Sequence, residues 1–292
     1  MMLKENQIRR NTINKKRHAP LWYAGKIVAY GILIITGILY ILPFLFAVST
    51  SFTSPQNIYE FKWIPSPIDI GNYAKFFDEN NVLRAFLNTI LYISPPILVG
   101  VFCSSLAAYA FARIEFRGKK IVFYALLATM IIPSIITMVP SYVLFTNFYH
   151  WNGTPLPLII PGMFGFPMTM FFLHQYFKTL PKELEEAAQI DGMSRIGIFF
   201  KIILPLSTPA IITQIILSFN GCYNDYLGPL LYLGSNPELF TVQLVVAGTQ
   251  TPLNSPYTLM MAAAITALIP TVLLYIFFQK YFVDGISMTG LK

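Results

Sequence analysis

Charged side chains are scarce in this sequence: Lys, Arg, Asp and Glu make up 11% of its 292 residues, where a soluble domain carries about a quarter. With 55% of the residues apolar and 15% aromatic, that shortage excludes a water-soluble globular domain and leaves an integral membrane protein. Cysteine is almost missing. The two present, Cys103 and Cys222, fall inside apolar runs, which excludes a disulfide framework and reads as two small buried side chains. Catalytic motifs are missing as well. No G-x-x-x-x-G-K-S/T phosphate loop occurs, since Gly118-Lys119-Lys120 lacks both the leading glycine and the hydroxyl, so a nucleotide site of that kind is not expected on this chain. No H-E-x-x-H motif occurs, and Gly192-Met193-Ser194 fails as a nucleophile elbow because Ile196 stands where glycine is required. A cleavable signal is not expected either. The apolar run from Ile27 to Phe52 exceeds the roughly 7–15 residues of a signal core and reads as an anchor that stays.

What is present in quantity is uncharged length. Runs without Lys, Arg, Asp or Glu occupy 27–59, 85–112, 121–177, 202–224 and 239–279, and a spanning helix needs roughly 20 apolar residues to cross about 30 Å of hydrocarbon. The longest run is divided by the turn-prone insert His150-Trp151-Asn152-Gly153-Thr154-Pro155, and Leu204-Pro205-Leu206-Ser207 delays the following span to near Ser207. Six transmembrane helices are thus predicted, at 27–50, 86–111, 121–147, 157–177, 207–232 and 258–280, in an all-α integral membrane protein with both termini on one side. Prolines recur within these spans and permit kinks.

All of the 20 lysines and arginines except Lys62, Lys75 and Arg84 lie in the N-terminal tail, the loops 113–120 and 178–201, or the C-terminal end. The positive-inside rule makes that side, with both termini, cytoplasmic. The chain then divides into a basic tail (1–26), a six-helix membrane domain (27–283) that includes a cytoplasmic loop (178–205), and a short tail (284–292). The net charge of +7 is accounted for by this topology and by contact with anionic lipid, so no nucleic-acid partner is implied.

One cytoplasmic stretch is built differently from the rest. Pro181 suits a first helical position, Glu183, Glu185 and Glu186 favour the positive end of a helix dipole, and Gly192 suits the residue past its end, predicting a helix over 181–191. Leu184, Ala187, Ala188 and Asp191 would form a small, mildly apolar face, open to close approach. Ser194 would cap a second helix whose Ile196, Phe199, Phe200 and Ile203 form an apolar stripe against the membrane bundle before Pro205 ends it. Further on, Asn220, Tyr223 and Asn224 share one helical face in the least apolar part of the fifth span. Amides and rings suit a sugar, and the same groups suit helix packing. Asp225 beside them would face water or a partner, and His174 reads as interfacial.

The series Glu186-Ala187-Ala188, Gly192, Ile202, Leu204 and Pro205 resembles the EAA loop in permeases of binding-protein-dependent ABC importers. With PFLFAVSTSF, AAYAFARIEFRGKK, YNDYLGPLLYL and QKYFVDGISMTGLK, the chain from about residue 25 is similar to carbohydrate importer permeases related to the maltose permease of the MalG type. The resemblance implies the six-helix MetI/MalG-like fold and a coupling role for Glu185, Glu186, Ala187, Ala188, Asp191, Gly192, Met193, Ile202, Leu204 and Pro205. It implies a substrate pathway near Asn220, Tyr223, Asn224 and Asp225, and no cofactor on this chain. ATP and its magnesium would sit on two copies of a cytoplasmic ATPase. The other implied partners are a second homologous permease (MalF-like) and an extracytoplasmic solute-binding protein, together serving import of an oligosaccharide, with uronate-containing ones left open, across a bacterial inner membrane. The alternatives are a non-sugar solute within the same class, and a secondary transporter, which would need buried carboxylates or bases where only Asp225 and His174 stand.

Overall fold

The computed structural model describes residues 2–59, 62–234, 236–250 and 256–290, and among them every regular element is helical. Among the described residues four helices are long and apolar enough to cross a membrane singly, or up to six spans if each of two bent pairs counts as one. The chain forms two compact units, residues 1–72 with 256–262 and residues 73–255 with 263–292.

In the first unit, α1 (Met2–Ser51) carries the expected 27–50 span within one continuous helix. Its C-terminal end is tied down by Asn72, whose buried Nδ2 donates to the carbonyls of Ser51 and Thr53 at 2.9 Å each while its Oδ1 accepts from Thr258 Oγ1 at 2.9 Å. An amide buried among carbonyls and a hydroxyl is thereby satisfied on both sides, which is the condition for placing it there.

The second unit is organised on α3 (Val82–Arg113), which follows α2 (Gly71–Glu79). Thirty-two residues rise about 48 Å at 1.5 Å each, more than enough to span. Next come α4 (Lys119–Thr129), α5 (Ser134–Val143) with a π turn over Leu144–Phe148, α6 (Leu156–Met163) and α7 (Pro167–Thr179). Then α8 (Glu183–Ile190), α9 (Arg195–Ile198), a second π turn (Phe199–Ile203) and α10 (Leu204–Leu206) lead into α11 (Thr208–Tyr223). The last elements are α12 (Leu227–Leu233), α13 (Val242–Gly248) and α14 (Tyr257–Gly290). Helix α3 packs against α6, α7, α11 and α13. Its approach to α6 depends on missing side chains: a Cβ on Gly100 would overlap the Gly162 carbonyl, and one on Gly162 would overlap Pro96, so these two backbones meet as small-residue membrane interfaces do.

Two expected spans are corrected. The one placed at 121–147 is broken between α4 and α5, which meet at 92°. Pro133 has no N–H to continue the ladder and biases Ile132 away from helix, so the amides of Met130 and Ile131 turn back to Leu127 and Ala128. The one placed at 207–232 begins on schedule at Thr208 but ends at Tyr223. There Asn224 and Asp225 compete with the ladder through their own side chains, and Asp225 Oδ1 accepts the Gly228 N–H at 3.1 Å to start α12. The expected break at Pro205 is present as a 77° bend between α9–α10 and α11. The expected turn at 150–155 is present too, with His150 and Gly153 at φ 55° and 72°. The tail expected over 284–292 is a continuation of α14 to Gly290; Leu291 and Lys292 lie outside the described residues.

Candidate functional site

Helix α8 stands where 181–191 was expected, shortened to Glu183–Ile190 with three glutamates in its first turn. Its end is a Schellman closure: Met193 N–H reaches the Ala188 carbonyl at 2.9 Å and Gly192 N–H the Gln189 carbonyl at 3.0 Å, with Gly192 at φ +80°. That left-handed residue is nearly free for glycine and strained for any other. Ser194 then caps α9, its Oγ accepting the Gly197 N–H at 3.2 Å.

What holds α8 to the bundle is a pair of buried charges. Arg113, the last residue of α3, sets its Nε 2.6 Å from Glu185 Oε1, with the two side chains 4% and 6% exposed. The same guanidinium donates through Nη2 to the carbonyls of Phe177 and Leu180 at 2.7 Å each, so one side chain fastens the ends of α3 and α7 to α8. Burial pushes the Glu185 carboxyl above its ordinary range, and Arg113, then Arg195 and Lys182, pull it back. Beside the pair, Ala188 enters a core with Tyr109, Phe177, Ile198, Phe199 and Ile203, against which Met193, Ile202 and Leu204 pack.

The face expected to be open for close approach is therefore divided. Ala188 and Glu185 point into the chain's own core, while Leu184, Glu186, Ala187, Ile190 and Asp191 remain exposed. The apolar stripe expected on the second helix is also shifted: Ile198, Phe199 and Ile203 are buried, and Ile196 and Phe200 are exposed. After four α-helical residues the chain enters a π turn, whose wider winding rotates the inward face. Pro205 itself is exposed at the bend that follows.

The residues expected along a pathway separate. Tyr223 is buried, its hydroxyl donating to the Ala267 carbonyl at 2.7 Å. Asn220 and Asn224 are exposed and linked, Asn224 Nδ2 donating to Asn220 Oδ1 at 2.9 Å and Gln243 Nε2 donating to Asn224 Oδ1 at 3.3 Å. Asp225 lies two residues before α12 and, with Tyr223, lines a smaller cavity of about 280 Å³. None of the four lines a cavity of about 1040 Å³ between α7 and α11, whose wall combines Phe171 and Phe172 with Gln175, Gln214, Ser218 and Tyr176. Its signal in the sequence was Gln214, Ser218 and Gly221, at i, i+4 and i+7 of an otherwise apolar helix. Arg113 was likewise legible only as a topological charge.

The described residues thus form a helical membrane bundle with a polar helix pinned to the end of α3 and an amide-bearing cavity between α7 and α11. Comparison with known proteins makes this specific. Residues 97–288 match the family of binding-protein-dependent transport system inner membrane components, and the chain belongs to that family. It is 35% identical over 229 residues to the arabinooligosaccharides transport system permease protein AraQ of Halalkalibacterium halodurans, covering 78% of this chain and 81% of that one. It is 33% identical over 253 residues to the melibiose/raffinose/stachyose import permease protein MelC of Bacillus subtilis, covering 86% and 91%. Among solved structures, a bacterial ABC transporter involved in the import of the acidic polysaccharide alginate superposes with a TM-score of 0.77 at 23% identity, over 88% of this chain and 95% of that one, a likeness of fold. The protein is thus a multi-pass membrane permease of an ABC importer.

Proposed function

We propose that the protein carries an oligosaccharide from an extracytoplasmic solute-binding protein into the cytoplasm, driven by ATP hydrolysis on a separate ATPase. The basic loops and termini would face the cytoplasm. Helix α8 would be the contact with the ATPase, an amphipathic segment in a groove, offering Glu186 to a basic group and Ala187 to close approach. The observation that carries this reading is the buried tether: a short, outward-facing helix whose inner side is fixed through Glu185 and Arg113 to the end of α3 can pass a push on its outer side to the membrane helices. Pro205 and Gly192 would set the bends on which that motion turns. The ATPase would hold ATP and magnesium; a second permease would close the pathway opposite α7 and α11; alternating access would follow from closure and reopening of the ATPase dimer.

Sugar as the cargo is supported by the names of the relatives and by the cavity. Phe171 and Phe172 offer ring faces to a pyranose, and Gln175, Gln214 and Ser218 offer hydrogen bonds to hydroxyls. No lysine or arginine is among the lining residues, so this half of the pathway favours a neutral oligosaccharide over a uronate, whose carboxylate would need a cation once desolvated. Asn220, Asn224 and Asp225, exposed near the end of α11, would be the first polar groups met outside the cavity.

The test is ATP hydrolysis and uptake in liposomes by the reconstituted complex, with neutral and acidic oligosaccharides as cargo and Glu186→Ala and Gly192→Pro as variants. A neutral sugar should stimulate both activities in the wild type, and the variants should separate hydrolysis from uptake. Normal transport by both variants would remove α8 from coupling; indifference to every sugar would remove carbohydrate as the cargo.

A further inference from the structure

At the other side of α7 lies a second cavity, about 710 Å³, bounded by α4, the loop before it and the residues preceding α8. Apart from Lys182, whose field reaches Glu185, none of its lining residues enters the coupling or passage described above. Its wall holds Lys119, Lys120, Lys178 and Lys182 against a single carboxylate, Glu115. Lys119 is engaged: its Nζ lies 2.8 Å from Glu115 Oε1, and that hydrogen bond, with Lys182 and Lys120 adding their fields, holds the Glu115 carboxyl below its ordinary range. Lys120, Lys178 and Lys182 have no carboxylate partner among the described residues. Three unneutralised ammonium groups around one concavity repel one another, so an anion entering it is favoured.

The remaining wall shows what kind of anion. Phe116, Phe123 and Tyr124 give it an aromatic side, and His174, 4% exposed and 4.5 Å from the Phe123 ring, lines it with an Nδ1 that lacks a hydrogen-bond partner. A buried polar nitrogen without a partner is rare, and on an imidazole already bonded to the Phe111 backbone it adds a polar point to this wall without setting the ligand's charge, which the lysines set. The lysines stand at the ends of apolar segments, the height at which head groups meet the hydrocarbon. We propose that this cavity binds a phosphate-bearing anion, supplied by the head group of an anionic membrane phospholipid whose glycerol and first methylenes lie on the aromatic side. Ammonium groups would take the phosphate oxygens in charge-assisted hydrogen bonds.

The experiment uses the complex purified in detergent, with lipid retention read by native mass spectrometry and stability by thermal unfolding. The probes are phosphatidylglycerol, phosphatidylcholine and sodium phosphate. Wild type is compared with a Lys120→Gln, Lys178→Gln double variant and with Arg117→Gln, which removes an exposed charge of the same loop outside the cavity. Wild type and Arg117→Gln should retain phosphatidylglycerol over phosphatidylcholine, and the double variant should bind it about thirtyfold more weakly, the effect of two surface lysines. If sodium phosphate stabilises the wild type as well as the lipid does and the double variant responds to neither, the anion site stands and its ligand is soluble. Equal retention by all three proteins overturns the proposal. So does a double variant whose lipid binding is normal but which loses the ATPase on purification, because the lysines would then face that subunit.

Discussion

Arg113 closes an apolar helix of 32 residues, yet its side chain is almost wholly buried, so its charge is affordable only with Glu185 and two carbonyls around it. Arg113→Met leaves the Glu185 charge alone in the core and should destabilise the protein by about 3–5 kcal/mol, the usual effect of removing one partner of a buried pair. Glu185→Gln keeps the shape but leaves the Arg113 charge with the Phe177 and Leu180 carbonyls and a neutral amide oxygen, so it should also destabilise, by less than Arg113→Met because the guanidinium keeps its acceptors. The pH dependence of that difference has a definite sign. Because the folded-state pKa of Glu185 is raised, the folded protein binds this proton more tightly than the unfolded chain does. The contribution is therefore fully present below the unfolded value and is lost as pH rises through the folded one. Thermal unfolding in detergent at a series of pH values should show wild type declining relative to Glu185→Gln as pH climbs above about 4.3, then running parallel. A gap that widens in the opposite sense would mean the pair, not the burial, dominates.

At the scale of single elements, the α8 turn is the part most open to test. A Cβ on Gly192 would meet nothing within 4 Å, so Gly192→Ala strains only the backbone, by about 1–2 kcal/mol. It should loosen the turn and lower uptake per ATP while leaving assembly intact; unchanged coupling would show that the left-handed residue is dispensable. This turn was readable in advance, because three early glutamates, a glycine past the end and a serine two residues later each report a local rule that the fold obeys. The bends at Pro133 and Pro205 were half readable: proline announces a break, but only neighbouring helices decide whether it opens to 92° or stays within a helix, as Pro95 and Pro96 do in α3. The π turn at Phe199–Ile203 has no such local signature, and the inward stripe was half readable: Phe199 and Ile203 are buried as expected, Ile198 joins them, and Ile196 and Phe200 are exposed. Tyr223 shows the same limit: periodicity put it on a face with Asn220 and Asn224, while the carbonyl of Ala267, 44 residues away, took its hydroxyl.

For the whole molecule, the proposed function joins two features: a cavity that runs along α7 from Phe166 to Thr179 beside α11, and α8, tied through Arg113 to the end of that same helix. If the cavity passes sugar, Gln214→Leu should raise the KM for transported sugar about tenfold, the effect of one lost hydrogen bond of roughly 1.4 kcal/mol. Stability should change less than with Arg113→Met. An unchanged KM would move the passage elsewhere, toward the exposed amides of Asn220 and Asn224. The measurement that reaches the central claim most directly is photo-crosslinking of the assembled importer in membranes, with a reactive residue placed singly at Glu186, Ile190 or Asn152. Positions 186 and 190 are on the exposed side of α8, and Asn152 is in the turn between α5 and α6. The account predicts that the first two attach to the ATPase subunit, with yields that change when ATP is added, and that Asn152 does not. Attachment from Asn152 alone, or none from α8 in any nucleotide state, would contradict it.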